Sequence, residues 1–350
     1  MSLTGCTTSS PDAWAFASTG TMVDETVLFS NDIEPRSACL LFQPLAVLSV
    51  KAADDSVSYV AGKDYVVDLD AGILRLTEDS AITSYTLYGD VIKHGQFKNR
   101  KGEPILWAEA DFMHSIQCKV TYTHSGTEWK DKPFVPRAQV EALPGISARL
   151  RDKEACRVVL VGDSISEGYN ASGFVGVPPH LPAYGEQVVA KLRERTGAEV
   201  AFLNCSRAGA ASGWGVGQVD KLTAHNPDLA IIAFGMNDAG RGGHSDRYKK
   251  NVAQIIAGLR AHDPATEIIL VANMLPNEEF KPQSAHFENR ERLLELAAEG
   301  DGVVVADVMS VTAEMLKRKK FADISGNNLN HPNDFIHRLY ASVILRVMGW

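Results

Sequence analysis

Cysteine is scarce in this sequence, and its spacing excludes two kinds of site. Five cysteines occur in 350 residues, with no C-x-x-C pair and no cluster of cysteine and histidine with zinc-site spacing. A disulfide framework and a structural metal are therefore not expected. The sequence also contains no phosphate-binding glycine loop. We predict that the protein uses no metal ion and no cofactor.

Long apolar runs and long basic runs are both missing. No apolar stretch approaches the ~20 residues that a helix needs to span a bilayer, so no membrane span is expected. The formal net charge is −8 at pH 7. Without a basic patch, neither nucleic acid nor an anionic membrane is expected as the main partner. The remaining composition, 45% apolar and 22% charged, is ordinary for a globular protein with a sizeable core.

The first residues contain a fragment that resembles an export signal. Leu3-Thr4-Gly5-Cys6 is similar to the end of a bacterial lipoprotein signal, but only two residues precede it. The charged and apolar parts of a complete signal are missing. The fragment is either a coincidence or the remainder of a longer precursor. The sequence as it stands predicts a cytoplasmic location, and a trimmed signal predicts secretion; the compartment and the oligomeric state stay open.

The N-terminal part of the chain has the pattern of β-structure. Residues 1–20 are rich in Ser, Thr and Gly and predict a flexible arm. In residues 21–130, apolar and polar side chains alternate, as in Ile116–Tyr122, and Asp70-Ala71-Gly72 marks a hairpin turn. This pattern predicts an antiparallel β-sandwich domain.

The C-terminal part alternates apolar runs with amphipathic stretches. Residues 131–150 contain three prolines among charges and predict a linker to a second domain at 151–350. There, runs rich in Val, Ile and Leu predict buried strands, and the stretches between them have helical spacing. The alternation predicts a doubly wound, flavodoxin-like α/β fold with a parallel five-stranded sheet. The predicted strands are Arg157–Val161, Glu199–Asn204, Leu229–Phe234, Glu267–Ala272 and Gly302–Ala306.

Four short polar pieces stand at the ends of these elements. Three directly follow the first three strands, and the fourth precedes the predicted last helix. Because parallel strands bring their carboxyl ends to one edge of the sheet, all four pieces should meet there. The pieces are Gly162-Asp163-Ser164, Asn204–Gly209, Gly235–Asp238 and His331–Asp334.

Each piece offers a group that acyl transfer needs. Ser164 is the candidate nucleophile, and His331 is the candidate base, because a neutral imidazole accepts a hydroxyl proton near neutral pH. The backbone N–H groups of Ser164 and Gly209 and the side chain of Asn237 provide three donors for an oxyanion hole. Taken singly, each piece is also an ordinary turn or helix entry. The whole set in this order favours the catalytic interpretation.

The set resembles the sequence blocks of the SGNH hydrolase superfamily, also called GDSL esterases, over roughly residues 155–350. The resemblance implies an SGNH-type fold, with Ser164 as nucleophile, Gly209 and Asn237 as oxyanion donors and His331 as base. The nucleophile motif differs from the G-x-S-x-G elbow, because the first glycine after Ser164 is Gly168.

One position departs from the family pattern. The family usually has Asp three residues before this histidine, and this chain has Asn328. Asparagine can accept a hydrogen bond from the ring N–H but carries no charge. A Ser–His dyad or triad oriented by Asn328 is therefore predicted. Asp334, which forms an Asp-x-x-His pattern with His337, is the less favoured alternative because both lie inside the predicted last helix.

The resemblance implies a serine esterase. Some carbohydrate esterases of the superfamily carry an N-terminal β-domain, so O-acetyl groups on a small or polymeric carbohydrate are the expected substrate. Asp163, Trp214 and Asp238 are candidates to line the substrate cleft. A lipid or thioester acylhydrolase is one alternative. A non-catalytic carbohydrate-binding protein on a hydrolase scaffold is another, supported only by Asn328.

Overall fold

The computed structural model describes residues 20–32, 36–240 and 244–350. The predicted arm lies outside this part of the chain except for Gly20, and so does the fragment Leu3–Cys6. No helix in the described residues is both long enough and apolar enough to cross a membrane.

Two antiparallel sheets form the N-terminal half, as the alternating pattern predicts. One sheet has the strand order β1-β7-β3-β4 and the other β2-β6-β5. At the β5–β6 hairpin, Asp68 accepts a hydrogen bond from the Ala71 N–H, and Gly72 adopts a left-handed backbone with φ of 65°. The strands are β1 (Thr21–Val27), β2 (Ser37–Cys39), β3 (Ala46–Ala52), β4 (Ser58–Tyr59), β5 (Tyr65–Asp68), β6 (Ile73–Leu76) and β7 (Cys118–Thr123), with the short helix α1 (Phe112–Ser115) before β7.

The predicted linker contains a helix, α2 (Pro144–Arg151). Proline in its first turn suits a helix start, because the missing N–H has no partner there in any case. The N–H groups of Gly145 and Ile146 donate to the carboxylate of Glu267, at 2.7 and 2.9 Å. This segment is thus attached to the α/β half, and the predicted domain limits stay a prediction.

A five-stranded parallel sheet forms the centre of the C-terminal half, which confirms the predicted fold. Its order is β12-β11-β10-β8-β9, so the first strand in sequence, β8, lies between the second and the third. Ligands of doubly wound sheets bind where the strand order reverses, at the carboxyl ends of the strands. Here that point lies beyond β8 and β10. The strands are β8 (Cys156–Gly162), β9 (Val200–Asn204), β10 (Leu229–Ala233), β11 (Glu267–Ala272) and β12 (Val303–Asp307).

Helices cover both faces of this sheet. Alternate strand residues face opposite sides: Val158 and Leu160 pack in the same core as α5 and α13, whereas Val159 and Val161 pack with α9 and α10. The longer helices are α5 (Tyr184–Thr196), α9 (Ser245–His262), α10 (Ser284–Glu299), α11 (Val308–Met315) and α13 (Asp334–Val347). The short ones are α3 (Ser164–Glu167), α4 (Ser172–Val175), α6 (Ser212–Val216), α7 (Val219–Thr223), α8 (Met236–Gly240) and α12 (Phe321–Ile324).

The two halves share one continuous core. Buried side chains of β1 and β7 belong to the same apolar cluster as those of α13. Polar bonds cross the junction as well: Asp323 in α12 accepts from the Leu28 N–H at 2.7 Å, and the buried Lys319 pairs with the buried Glu25 of β1. The N-terminal half is therefore held firmly against α12 and α13 of the α/β half.

Candidate active site

Ser164 lies at the carboxyl end of β8, where it is the first residue of α3. Asp163 caps this helix, because its Oδ1 accepts a hydrogen bond from the Ile165 N–H at 3.0 Å. β8 is paired with β10 as far as Gly162, so the turn starts from a fixed strand end. The side chain of Ser164 is largely buried, with 5% of the residue exposed.

The structure brings His331 to this serine. His331 Nε2 lies 2.9 Å from Ser164 Oγ, which is hydrogen-bonding distance. The loop that carries the ring is fixed from both sides: the His331 N–H donates to Asn327 Oδ1, and its carbonyl accepts from Ser325 Oγ at 2.8 Å. The two residues are 167 positions apart in the chain, and their meeting follows from the topology.

Two side chains reach the other ring nitrogen of His331. Asn170 Oδ1 lies 2.8 Å from His331 Nδ1, and Glu109 Oε2 lies 3.3 Å away. Asn170 follows α3, whereas Glu109 comes from the N-terminal half. Neither was singled out in the sequence. Asn170 stands six residues after Ser164 outside any motif, and nothing around Glu109 in the sequence marks it as functional.

The pKa of Glu109 is lowered below its ordinary value. Partial burial alone would raise it, but the hydrogen bond and the charge of His331, with contributions from Asn327 and Asn170, outweigh that effect. The side chain is 41% exposed, so solvent screens part of its charge. An ionised carboxylate therefore faces the imidazole from the solvent side.

The structure corrects the predicted orienting group. Asn328 does not contact the imidazole; its Nδ2 donates to the Leu106 carbonyl at 2.9 Å. Its backbone is left-handed, with φ of 62°, and the side chain points into the junction with the N-terminal half. Asp334 is also elsewhere, because its Oδ1 accepts from the Ser172 N–H at 2.7 Å.

His337, the less favoured base, does not reach Ser164. Its Nε2 lies 3.3 Å from the Tyr169 carbonyl, and its ring stacks beside Tyr184. Burial lowers the pKa of His337 to about 4. A buried, neutral ring in this position packs the helix α13 against α5.

The predicted oxyanion donors lie on the loops after β9 and β10. Asn237 Nδ2 donates one hydrogen to the Ala210 carbonyl at 3.0 Å. An amide NH₂ carries two hydrogens, so this bond fixes the plane of the amide and engages only one of them. Gly209 has a left-handed backbone with φ of 72°, and its loop is attached to the end of β8 through the bond from Arg207 N–H to the Gly162 carbonyl at 3.1 Å.

Asp163, Asp238 and Trp214, the predicted lining residues, have different surroundings. Asp163 is fully buried, and burial raises its pKa to about 7, with a further contribution from the charge of Asp238. Asp238 accepts bonds from the N–H and the hydroxyl of Ser212 and so anchors α6. Trp214 in α6 is partly exposed, with the Arg207 guanidinium 5.9 Å from its ring. Of the three, Asp163 is enclosed, whereas Asp238 and Trp214 are both partly exposed.

An aromatic pair lies beside the histidine. The Tyr169 ring is 5.4 Å from the His331 ring in an edge-on arrangement, and Phe174 packs on Tyr169 at 4.8 Å. Phe174 is 48% exposed, so the pair presents an apolar surface to solvent next to the base. Within the described ranges, no cluster of three or more His, Cys, Asp or Glu side chains has the arrangement of a metal site.

The fold and these four sequence pieces are those of an SGNH-type hydrolase. The family follows from comparison with known sequences. The model of the GDSL-like lipase/acylhydrolase family matches residues 160–339, which is 180 of 350 residues, and the chain belongs to that family. No protein of curated function matches the chain.

Several solved structures are similar in part. A two-domain esterase (CEX) active on acetylated mannans, crystallised with mannopentaose, has 22% identity and a TM-score of 0.49, over 61% of this chain and 54% of its own. The acetylxylan esterase Axe2 of Geobacillus stearothermophilus has 19% identity and a TM-score of 0.47, over 56% and 94%. TesA has 19% identity and a TM-score of 0.43, over 55% and 97%. The matched part thus spans about half the length of the mannan esterase.

Proposed function

We propose that the protein is a serine esterase in which Ser164 and His331 form and hydrolyse an acyl-enzyme. The observation that carries the proposal is the 2.9 Å contact between Ser164 Oγ and His331 Nε2. Serine is a weak nucleophile until a base within hydrogen-bond reach takes its proton. Membership of an acylhydrolase family supports the same reaction.

The reaction proceeds in two halves. Ser164 Oγ attacks the ester carbonyl while its proton passes to His331 Nε2, and the imidazolium then protonates the leaving alcohol. Water attacks the acyl-enzyme in the second half while His331 takes its proton; the imidazolium then returns that proton to Ser164 Oγ as the bond between Oγ and the acyl carbon breaks, and the carboxylic acid leaves. In both halves the negative charge develops on the former carbonyl oxygen. The N–H groups of Ser164 and Gly209 and the second hydrogen of the Asn237 amide are proposed to stabilise this charge.

The proposed substrate is an O-acetyl group on a carbohydrate. The side chains around the serine and histidine support this choice: Glu109 and Arg207 are exposed polar groups that suit sugar hydroxyls, and Trp214 and Phe174 offer ring faces. A short acyl group fits a nucleophile that is only 5% exposed. A long-chain lipid ester or acyl thioester is the competing substrate class.

The reaction class is tested with an aryl acetate and a fluorophosphonate probe, which labels activated serines. Wild type should hydrolyse the ester and react with the probe, and Ser164→Ala should do neither. Asn237→Ala keeps Ser164 and should still react with the probe. Its kcat should fall about 100-fold or more, which is the loss expected when one oxyanion donor is removed. An inert wild-type protein in both assays would end the esterase proposal in favour of a binding protein.

Two further comparisons test the base and the substrate. His331→Ala should be inactive, whereas a correctly folded His337→Ala should be active. The reverse result would identify His337 as the base instead of His331. Acetate release from a panel of acetylated polysaccharides should exceed hydrolysis of a matched aryl octanoate and of an acyl thioester. Faster turnover of the long-chain substrates would replace the carbohydrate proposal by the lipid one.

A further inference from the structure

Within the described part of the α/β half, no carboxylate reaches the base. At the position where the family usually has aspartate, this chain has Asn328, and its amide is engaged with the Leu106 carbonyl. Among the described residues, only Glu109 brings an acidic oxygen within hydrogen-bond distance of His331 Nδ1. The charge that stabilises an imidazolium must therefore come from another part of the chain.

We propose that Glu109, a residue of the N-terminal half, is the acidic positioning residue of His331 and acts together with Asn170. The proposal rests on the proposed esterase function and extends it: the active site is shared between the two halves. The N-terminal half then has a role in catalysis besides any role in substrate binding.

The segment that carries Glu109 is built into the site. The Leu106 N–H donates to the Leu87 carbonyl at 2.8 Å, which fixes the segment to its own half. On the other side, Asn327 Nδ2 donates to Glu109 Oε1 at 3.0 Å. Ala110 has a left-handed backbone with φ of 63°, and its carbonyl accepts from Asn170 Nδ2 at 3.0 Å. A strained non-glycine residue directly after Glu109 is typical of a segment whose course is determined by a site.

Asn170 and Glu109 have different roles at His331 Nδ1. Asn170 Oδ1, at 2.8 Å, accepts the Nδ1–H bond and so places the free lone pair on Nε2, opposite Ser164. Glu109, at 3.3 Å, contributes the negative charge that stabilises the imidazolium formed during the reaction. Because Glu109 is 41% exposed, its effect should be smaller than that of a buried aspartate, whose neutralisation in a serine protease costs about 10⁴-fold.

Among the residues that the structure describes, few other titratable groups influence the same ring. Tyr169 packs against it at 5.4 Å, and His337 interacts with it electrostatically. His337 is uncharged above its pKa of about 4. The acid limb of the activity profile therefore depends mainly on His331 and on the charge of Glu109.

The test compares Glu109→Gln with Glu78→Gln, a matched loss of charge at an exposed position of the same half. The rate of fluorophosphonate labelling and kcat/KM for an aryl acetate are measured from pH 4 to 9. Glu109→Gln should lower both by about tenfold, in the range of general-base effects. It should also move the acid limb to lower pH, because the imidazolium loses a neighbouring charge. Glu78→Gln should match wild type.

A second variant tests the assignment by moving the negative charge from position 109 to position 170. In Glu109→Gln/Asn170→Asp the charge moves to the oxygen position 2.8 Å from Nδ1, and the acid limb should return to or exceed its wild-type pH. A purely structural role of Glu109 predicts no such return. An unchanged rate and acid limb in Glu109→Gln, with an active wild type, would overturn the assignment.

The role of Glu109 can also be tested if the protein is not an esterase. With an inert wild-type protein, the titration of the His331 Nδ1–H proton by NMR decides the question. Its midpoint should lie at lower pH in Glu109→Gln than in wild type, and equal midpoints would reject Glu109 as a partner of the ring.

Discussion

Asp163 places a protonatable carboxyl directly beside the nucleophile. Its Oδ1 caps α3, whereas its Oδ2 is buried without a hydrogen-bond partner among the described residues. An ionised oxygen in that position has nothing to replace the water it loses on folding, and burial accordingly raises the pKa of Asp163 to about 7. The carboxyl is thus protonated below neutral pH.

This shift makes the stability of the protein depend on pH. The unfolded chain releases the proton near pH 4, and the folded protein holds it up to about pH 7. The contribution of Asp163 to the free energy of unfolding is therefore fully present below pH 4, falls as the pH rises to 7, and stays constant above. At 1.36 kcal/mol per pKa unit, the loss amounts to at most about 4 kcal/mol.

Asp163→Asn removes this titration and keeps the Oδ1 cap. We expect the unfolding free energy of the variant, relative to wild type, to rise between pH 4 and pH 7 and then to level off. Urea unfolding at a series of pH values measures it. A difference that does not change with pH would show that the pKa of Asp163 is the same in the folded and the unfolded protein.

At Gly162, the last residue of β8, the structure has no space for a side chain. A Cβ on Gly162 would lie 2.6 Å from the Ala233 carbonyl of the neighbouring strand and closer still to Ser166 Oγ. Both partners are held, one by the sheet and the other by its bond to Tyr184. The strand and the turn that carries Ser164 can therefore approach β10 only without a side chain at this position.

Gly162→Ala should lower the free energy of unfolding by about 1–3 kcal/mol, as expected for overpacking. It should also slow fluorophosphonate labelling, because the displaced turn carries Ser164. Gly213→Ala is the control, since a Cβ there meets only Asn251 Nδ2 at an ordinary 3.5 Å. Equal stability and labelling of the two variants would contradict the argument.

The elements of the α/β half could be predicted because their signals are local. Runs such as Val158–Val161 and Ile231–Ile232 are apolar because both faces of the sheet are covered, and the polar pieces follow directly where these strands end. Glu109 could not be found in this way. It lies 222 residues before His331, on a segment whose course depends on contacts with Leu87 and Asn327 that the sequence does not reveal.

Asn328 illustrates the same limit for a residue inside a motif. Its distance from His331 in sequence matches that of the family aspartate, and this spacing alone predicted an orienting role. The left-handed backbone and the bond to Leu106 place the side chain elsewhere. A motif thus located the loop, while the packing between the two halves determined which side chain meets the ring.

At the scale of the whole molecule, the junction between the halves contains a buried ion pair. Lys319 and Glu25 are both completely buried, and Glu25 also accepts bonds from Tyr122 Oη at 2.6 Å and from the Leu41 N–H at 2.9 Å. Lys319 donates a further bond to the Cys39 carbonyl at 2.8 Å. Breaking a buried pair by removing one partner is costly because the other charge is left without compensation.

Lys319→Met should therefore lower the free energy of unfolding by about 3–5 kcal/mol. Lys317→Met is the matched control, because Lys317 is 71% exposed and its pair with Glu314 lies at the surface; it should change stability by about 0.5 kcal/mol or less. In the double variant Glu25→Gln/Lys319→Met the loss should be smaller than in Lys319→Met alone, since a neutral glutamine still accepts from Tyr122 and Leu41 without a buried charge. Urea unfolding measures the three values.

The same variants connect the junction to the active site. If Glu109 belongs to the site, a loosened junction in Lys319→Met should slow fluorophosphonate labelling at urea concentrations below the unfolding transition, whereas Lys317→Met should label at the wild-type rate. Full labelling of Lys319→Met up to its unfolding midpoint would mean that the α/β half assembles its catalytic groups without help. Glu109 is hydrogen-bonded to Asn327, and its neighbour Ala110 to Asn170. We therefore expect the labelling of Lys319→Met to fall at urea concentrations lower than those that unfold the protein.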